Sequence, residues 1–192
     1  MTDALVIIML CAFWLLFLGR AAMLTARGVR VFVLAKGNTV SEKLLEIILV
    51  PALPLWTAQT ASAALGRPLI PAPPFWNAAA PGWVGLALCA AGLTLFAAAL
   101  VSFGSAWRVG IDESGGRLVT SGAFAISRNP IFLFMDVYFF GTFLVYPNLF
   151  FMLFFISAVF VIHRQILNEE KSLLARFGPA YEEYRRKVRR YL

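Results

Sequence analysis

Two short polar segments border long apolar stretches in the C-terminal half of the chain. Arg128, Asn129 and Pro130 come directly before one apolar stretch, and Glu169 and Glu170 follow the next one. A guanidinium can bind a carboxylate through two parallel hydrogen bonds, and a carboxylate accepts hydrogen bonds from an ammonium or from hydroxyl groups. If the two stretches form a hairpin, these residues meet at one end of it and suit a zwitterionic, partly aromatic cofactor. Charges beside apolar helices are also typical of interfacial anchors, so spacing alone leaves both interpretations open.

The composition indicates which solvent surrounds the elements that carry these residues. Of the 192 residues, 60% are apolar and 14% are charged, whereas soluble domains average about 45–50% apolar and about 25% charged residues. This composition argues against a water-soluble globule, and more strongly against a disordered chain, which needs low hydrophobicity. The sequence therefore predicts an all-α protein, an integral membrane helical bundle.

The basic residues point to the lipid bilayer as the partner. A net charge of +7 is compatible with nucleic-acid binding, but Lys and Arg lie beside the apolar stretches and accumulate near the C-terminus, which is typical of membrane topology. We therefore expect no nucleic acid as a partner. Cys11 and Cys89 lie within apolar stretches, so we expect neither a disulfide framework nor a metal site.

The apolar segments predict about five transmembrane helices, at residues 4–19, 47–66, 82–103, 131–146 and 149–162. About 20 residues cross the hydrocarbon core, so the last two helices are short, with a turn at Tyr146-Pro147-Asn148. A re-entrant hairpin is the alternative for this pair. We expect residues 1–103 to supply three helices, and residues 104–192 to supply a cofactor-binding loop, the hairpin and a C-terminal helix of the same structural unit.

The connections predict the orientation of the chain in the membrane. Residues 25–43, residues 104–130 and the chain from residue 163 contain four, three and eight Lys or Arg residues, whereas the opposite connections contain only Arg67. Because basic residues collect on the cytoplasmic side, we expect the N-terminus outside and the C-terminus in the cytosol. The first apolar segment lacks the basic n-region of a signal peptide, so we expect it to be retained. The small size and the lack of organelle signals favour a prokaryotic plasma membrane.

Helical periodicity continues through the C-terminal residues. Apolar and aromatic side chains recur at steps of three and four, with Gly178-Pro179 as a break, at Leu167, Leu173, Leu174, Phe177, Tyr181, Tyr184, Val188 and Tyr191. Arginines surround the last four of them. The pattern predicts an amphipathic cytosolic helix that lies at the membrane surface or against the bundle.

Two linked motifs resemble a known superfamily. Residues 118–132, LVTSGAFAISRNPIF, resemble the signature L-V-x-x-G-x-[YF]-x-x-x-R-H-P-x-[YF], and residues 169–184, EEKSLLARFGPAYEEY, resemble the closing motif E-E-x-x-L-x-x-x-[FY]-G-x-x-Y-x-x-Y. Residues 104–107, GSAW, resemble the segment before the signature. These motifs are similar to those of the isoprenylcysteine carboxyl methyltransferase and phospholipid methyltransferase superfamily, and the resemblance covers about the last ninety residues.

This resemblance implies an integral membrane methyltransferase that binds S-adenosylmethionine at the cytosolic face. Carried over by position, Arg128 and Asn129 are the candidate catalytic residues, and the implied cofactor-binding residues are Leu118, Val119, Gly122, Phe124, Arg128, Asn129, Pro130, Glu169 and Glu170. One position departs from the pattern, because Asn129 stands where the signature has a histidine. An amide donates and accepts hydrogen bonds but does not titrate near neutrality, so a cofactor contact can survive there and a proton transfer cannot.

Three further residues have both a functional and a structural interpretation. His163, the only histidine, is a candidate general base or cofactor ligand, or an interfacial side chain. Asp136 lies within an apolar segment, where carboxylates are functional by default, so it is a candidate substrate-binding residue or a partner of a neighbouring group. Trp107 is a candidate for the acceptor site or for the aromatic belt at the interface.

The sequence is compatible with several methyl acceptors and with two rival functions. A prenylcysteine carboxylate, a thiol or a lipid amine would each suit the same machinery. Membrane sterol-type reductases share the architecture but bind NADPH, and the acidic pair Glu169-Glu170 would repel its 2′-phosphate. A non-catalytic membrane subunit is the second alternative, because Asn129 departs from the signature.

Overall fold

The regular secondary structure of the described residues consists of helices. The structure is a computed structural model that describes residues 2–29, 31, 40–104, 107 and 118–192, and of residues 40–50 the backbone alone. Its six helices are α1 (Thr2–Ala26), α2 (Val40–Ala64), α3 (Ala79–Phe103), α4 (Pro130–Val145), α5 (Leu149–Phe177) and α6 (Pro179–Lys187), with a 3₁₀ turn at Gly122–Ala125. The all-α prediction is thereby confirmed for these residues.

Three of these helices are long and apolar enough to cross a bilayer. They are α1, α3 and α5, with 25, 25 and 29 residues, and about 20 residues suffice for the hydrocarbon core. The chain is therefore a helical membrane protein. α4 has 16 residues, which span only about 24 Å, and α2 contains Pro51 and Pro54. Five crossings, and the division at residue 103, stay predictions.

α3 and α4 pack closely because two glycines face each other. A Cβ on Gly141 would lie 2.6 Å from the carbonyl oxygen of Gly85 and 2.7 Å from Sγ of Cys89, and a Cβ on Gly85 would meet the carbonyl oxygen of Gly141 in turn. Two turns away along each helix, a Cβ on Gly92 would lie 3.4 Å from the ring of Phe134, an ordinary contact distance. Small residues allow such close backbone approach in lipid, where packing rather than the hydrophobic effect holds helices together.

We expect Gly141→Ala to destabilise the protein. The added methyl group must push α3 and α4 apart, and overpacking of this kind costs about 1–3 kcal/mol, which lowers the melting temperature of a chain of this length by roughly 2–12 °C. Gly19→Ala is the control, because a Cβ on Gly19 in α1 meets nothing within 4 Å. Thermal unfolding of the two variants in one detergent is the measurement, and equal melting temperatures would contradict the close contact.

An aromatic cluster joins α1 and α2 to this pair. The rings of Phe96 and Phe134 stack with centroids 4.5 Å apart, and the ring of Phe13 lies 5.7 Å from that of Phe134. Trp56 of α2 is buried and meets Phe139 edge-on at 5.1 Å. Phenylalanine-rich segments of the sequence therefore supply the contacts that hold the helices together.

The turn predicted between the last two apolar segments is confirmed. α4 ends before Tyr146, and the Asn148 side chain caps α5 by accepting a hydrogen bond from the backbone N–H of Phe151 at 3.2 Å. The segment before α3 covers this turn, because the N–H of Phe75 donates to the carbonyl of Pro147 at 2.6 Å. α4 and α5 thus form a tight hairpin whose open end lies at Pro130 and at the second half of α5.

The C-terminal residues differ from the sequence prediction. α5 continues to Phe177, and the break at Gly178-Pro179 is confirmed, with Gly178 at φ 48°. α6 then ends at Lys187, because Val188 is extended at φ −119° and ψ 132°. The predicted continuation of the helix to Tyr191 is wrong. The chain instead turns back, and its backbone carbonyls bond to the segment before α4 rather than to a further helical turn.

Candidate functional site

The loop that carries the signature motif is fixed to the end of α3. Gly122 has φ +63°, and a Cβ there would collide with Oγ of Ser102. That hydroxyl accepts a hydrogen bond from the backbone N–H of Ala123 at 3.0 Å. The ring of Phe124 meets the ring of Phe103 edge-on at 4.5 Å. Glycine is therefore required at position 122 both for its backbone conformation and for the close approach of the loop to α3.

α6 holds the same loop from the other side. The Tyr184 hydroxyl is buried and donates to the carbonyl oxygen of Phe124 at 2.7 Å. Tyr181, one turn earlier, is also buried, but its hydroxyl has no hydrogen-bond partner among the described residues. Burial raises the pKa of both tyrosines to about 12, so both hydroxyls stay protonated at physiological pH and Tyr184 stays a donor.

We expect Tyr184→Phe to loosen the loop, with Tyr181→Phe as the matched control. The first change leaves a carbonyl without its donor and costs about 1 kcal/mol. The second removes a hydroxyl that makes no bond, so it should leave the stability unchanged or raise it slightly. Urea unfolding measures both. A larger loss of stability from Tyr181→Phe than from Tyr184→Phe would contradict this assignment.

The centre of the site is a cluster of Arg128, Asn129, Glu170 and Arg190, which we call the arginine–glutamate cluster. Arg128 donates to Oε1 of Glu170 from Nη2 at 2.8 Å and from Nε at 3.1 Å. Arg190 donates to Oε2 from Nη2 at 2.8 Å, and its Nε lies 3.2 Å from both carboxylate oxygens. The Asn129 amide adds a longer bond to Oε1 at 3.4 Å. One carboxylate therefore holds two guanidiniums and an amide in place.

Backbone carbonyls of the C-terminal tail complete the cluster. The tail is residues 188–192, which follow α6. The N–H of Arg128 donates to the carbonyl of Arg189 at 2.9 Å, and Arg128 Nη1 donates to the carbonyl of Val188 at 3.3 Å. The same Nη1 also donates to the carbonyl of Arg185, in the last turn of α6, at 3.0 Å. The carbonyl of Arg190 accepts from Oγ of Ser127 and from Nδ2 of Asn129, both at 3.2 Å. Hydrogen bonds between the tail and the residues before α4 thus hold both segments in position.

The cluster is largely shielded from solvent and carries an excess positive charge. The side chains of Arg128 and Glu170 are 11% and 13% exposed, and that of Arg190 is 36% exposed. Partial burial weakens the screening of these ion pairs by water. The hydrogen bonds to Glu170 raise the pKa of the Arg190 guanidinium above its usual range. Two cations face one carboxylate, which leaves one positive charge for a ligand.

The structure separates the two glutamates that the sequence presents as a pair. Glu170 lies in the cluster, whereas Glu169 lies about 100° further round α5 and is hydrogen-bonded to Gln165, one turn earlier. Gln165 is buried, and its Oε1 has no partner among the described residues. Only Glu170 of the pair is joined to the arginines by hydrogen bonds in the described part of the chain.

The other candidates lie in the signature loop, at the start of α4 and on α5. Leu118 and Val119 are half-buried at the start of the loop, and Pro130 is buried at the first turn of α4. His163 of α5 is hydrogen-bonded through Nδ1 to the hydroxyl of Tyr191 at 2.9 Å. The hydrogen bond between His163 and Tyr191 therefore joins α5 to the tail.

Two predicted acceptor-side residues lie in different surroundings. Asp136 is in the second turn of α4, where its Oδ1 is buried with no hydrogen-bond partner among the described residues. Trp107 is buried, and its ring meets that of Phe17 of α1 edge-on at 5.6 Å. Trp107 therefore packs against α1 instead of standing free at the protein surface.

Sequence reasoning missed four residues that the structure brings to the site: Ser102, Ser127, Arg190 and Tyr191. Arginine-rich C-terminal sequence suggests a contact with anionic lipid, and nothing in its spacing separates Arg190 from its neighbours. The two serines lie in an apolar helix and in a loop, and no motif singles them out. A signal for Tyr191 existed in the tyrosine periodicity, which the prediction assigned to a helix.

Comparison with known proteins decides between the functions that the sequence left open. The sequence profile of the family described as phospholipid methyltransferase matches residues 81–180, which include α3, the signature loop, the hairpin and Glu170. The chain belongs to the phospholipid methyltransferase family. It is therefore a membrane enzyme that uses S-adenosylmethionine, and the resemblance that the motifs indicated is confirmed. Transfer of a methyl group to a lipid acceptor is the family's activity. No curated protein matches the chain.

The match favours the methyltransferase over both rival interpretations. An NADPH-dependent reductase and a non-catalytic subunit shared the architecture, but the matched family is one of methyl-transferring enzymes. Arg190 and Tyr191 lie beyond the matched residues.

Proposed function

We propose that the arginine–glutamate cluster binds the amino-acid end of S-adenosylmethionine, and that the methyl group passes to a hydrophobic acceptor that enters from the bilayer. The observation that carries this proposal is the contact between Arg128 and Glu170. These residues come from two motifs 42 positions apart, yet Nη2 and Oε1 lie 2.8 Å from each other. The family motifs, the charges and the geometry therefore all support the arginine–glutamate cluster as the cofactor site.

The chemistry of the cluster fits this ligand. An amino-acid group carries a carboxylate, which suits the fork of a guanidinium, and an ammonium, which suits the carboxylate of Glu170. The Asn129 amide can bond to either group. The excess positive charge of the cluster suits the ligand's carboxylate. Each charged group of the zwitterion thus has a partner of opposite sign.

The remaining cofactor-side residues belong to the same proposal. Gly122 and Phe124 give the signature loop its shape, Leu118 and Val119 present apolar surface beside it, and Pro130 begins α4 at the cluster. His163 and Glu169 stay candidate cofactor contacts on α5. Because Asn129 replaces the histidine of the signature, its role is binding and orientation and not proton transfer.

The mechanism depends on positioning and on exclusion of water. When bound, the cofactor supplies a methyl group already activated by a sulfonium, so the protein has little acid–base chemistry to add. Arg128, Asn129 and Glu170 fix the orientation of the ligand. Binding therefore offsets part of the entropy that is lost when the reacting groups are brought together. The apolar helices beside the cluster exclude water. Since the sulfonium loses its charge in the transition state, strong binding of that charge would slow the reaction.

The acceptor approaches from the membrane in this proposal. Asp136 and Trp107 are the proposed acceptor-side residues, and the acceptor classes are a prenylcysteine-like carboxylate, a thiol and a lipid amine. The proposed topology places the cluster and both C-terminal helices at the cytosolic face of a prokaryotic plasma membrane, with the N-terminus outside. The clustering of Lys and Arg in the connections at this end of the bundle supports that orientation.

Ligand binding to the detergent-purified protein tests the proposed function. Isothermal calorimetry and thermal shift compare S-adenosylhomocysteine with NADPH, and Arg128→Ala serves as the site variant. A ligand at one hundred times its dissociation constant stabilises the folded state by about 2.7 kcal/mol, which a thermal shift detects easily. Saturable binding of S-adenosylhomocysteine that Arg128→Ala weakens supports the proposal. Binding of NADPH alone, or of neither ligand to folded protein, overturns it.

A further inference from the structure

Arg20 is a basic residue within α1, an apolar helix that lies outside the residues of the family match. Its Nη2 donates to the carbonyl oxygen of Gly104 at 2.7 Å. Its Nε is buried and has no hydrogen-bond partner among the described residues. A buried N–H group without a partner costs stability, and an ionised side chain in a membrane helix is a candidate functional residue by default. Stability alone therefore does not account for Arg20.

The carbonyl that Arg20 holds belongs to the residue that ends α3. The N–H of Gly104 bonds to the carbonyls of Leu100 and Val101, and its φ of 55° turns the chain away from the helix axis. Carbonyl groups at a helix C-terminus carry a partial negative charge, and a basic side chain can bond to them. The guanidinium of Arg20 therefore fixes the end of α3 from the side of α1.

A ring contact adds a second link between α1 and the chain around the end of α3. Phe17 precedes Arg20 by three residues, so both side chains project from one side of α1. The ring of Phe17 meets that of Trp107 edge-on, with centroids 5.6 Å apart. Trp107 follows Gly104 by three residues. α1 thus contacts the chain at the end of α3 and again just beyond it.

The last turn of α3 also carries the signature loop. Oγ of Ser102 accepts a hydrogen bond from the N–H of Ala123 at 3.0 Å, and the ring of Phe103 meets that of Phe124 at 4.5 Å. These two α3 residues come directly before the one that the α1 arginine holds. Arg128 of the arginine–glutamate cluster follows Phe124 by four residues. A shift of the end of α3 would therefore displace the loop that leads into the cluster.

We propose that Arg20 is a positioning residue of the cofactor site, which holds the end of α3 and through it the signature loop. This inference rests on the proposed cofactor site. It makes α1 a part of that site, although the motifs that form the site all lie in the C-terminal half of the chain. The role requires a donor to the Gly104 carbonyl. A lysine can supply such a donor, whereas an apolar side chain cannot.

Binding of S-adenosylhomocysteine to the detergent-purified protein tests this role. Arg20→Met removes the donor, and we expect it to raise Kd about tenfold, in line with the loss of one hydrogen bond from a charged group. Arg20→Lys keeps a donor and should stay within about threefold of the wild type. Tyr146→Phe is the matched control, because it also removes a hydrogen bond of α1, the one to Asp3 at the opposite end of that helix at 3.0 Å. It should leave Kd unchanged.

A double-mutant cycle with Ser102→Ala tests whether Arg20 acts through α3. We expect Ser102→Ala to raise Kd about tenfold, and the double variant about tenfold instead of about 100-fold, because both changes release the same loop. Hydrogen exchange of the ligand-free protein gives a readout that needs no cofactor. The Ala123 amide should exchange roughly fivefold faster in Arg20→Met and at the wild-type rate in Tyr146→Phe.

The other outcomes separate this role from the proposed function. An unchanged Kd in Arg20→Met, an equal rise in Tyr146→Phe, additive effects in the cycle, or unchanged exchange of the Ala123 amide each overturns the positioning role. Equal losses in Arg20→Lys and Arg20→Met contradict the need for a donor. Arg20→Gln, with a shorter side chain, replaces Arg20→Met if that variant does not fold. Failure of the wild type to bind S-adenosylhomocysteine overturns the proposed function, and exchange of the Ala123 amide then decides whether Arg20 holds the loop.

Discussion

Glu170→Gln is expected to weaken binding of S-adenosylhomocysteine at least 100-fold and to lower the stability of the fold. The glutamine side chain has the same shape but no charge, so it cannot neutralise Arg128 and Arg190 together. Both guanidiniums now use this carboxylate, at 2.8 Å each. Removal of one partner of a buried ion pair costs about 3–5 kcal/mol of folding stability. Because Arg190 is partly exposed, we expect a loss of stability at the lower end of that range.

Glu183→Gln is the matched control for this change. Glu183 forms an ion pair with Lys187 at 2.6 Å, one helical turn away in α6, but both side chains are 70% exposed. Solvent screens that pair, so we expect neither the melting temperature nor ligand binding to change. Calorimetric titration and thermal unfolding of both variants give the two readouts. Equal affinities in Glu170→Gln and the wild type would remove Glu170 from the cofactor site.

The motif-bearing residues were predictable because their positions depend on local sequence and helix order. Two apolar segments joined by Tyr146-Pro147-Asn148 must form a hairpin, and a hairpin brings residues before its first helix next to residues late in its second. The contact between Arg128 and Glu170 follows from that geometry, as does the break at Gly178. Gly122 is equally local, since its positive φ belongs to the turn that begins the 3₁₀ segment.

The part that was not predictable depends on contacts between residues distant in sequence. Tyrosine periodicity favours a helix up to Tyr191, but the carbonyls of residues 189 and 190 find donors in Ser127, Arg128 and Asn129, and these bonds replace those of another helical turn. Likewise, adjacent glutamates project about 100° apart on a helix, so among the described residues only Glu170 of the pair is hydrogen-bonded to the two arginines. A sequence pattern identifies the types of residues that can form a site, but it does not identify the residues that they contact in the fold.

Arg190→Ala should separate two roles that the tail can have at the cofactor site. If the tail forms a wall of the site, loss of the Arg190 guanidinium removes a partner of the ligand's carboxylate and leaves Glu170 paired on one side only. We expect about 30-fold weaker binding of S-adenosylhomocysteine. Arg190→Lys should give an intermediate affinity, because an ammonium cannot reproduce the contact of a planar fork with both oxygens.

Arg189→Ala is the control, since it lies next to Arg190, has the same charge and has an exposed side chain. Its structural contact is the carbonyl that accepts from the Arg128 N–H, which the substitution keeps. If the tail instead competed with the cofactor for Glu170, Arg190→Ala would tighten binding, because the ligand's ammonium would no longer have to displace a guanidinium. The sign of the change in Kd, measured by titration calorimetry at two salt concentrations, therefore decides the role of the tail. Weaker binding identifies Arg190 as part of the site, and tighter binding identifies it as an obstacle to the cofactor.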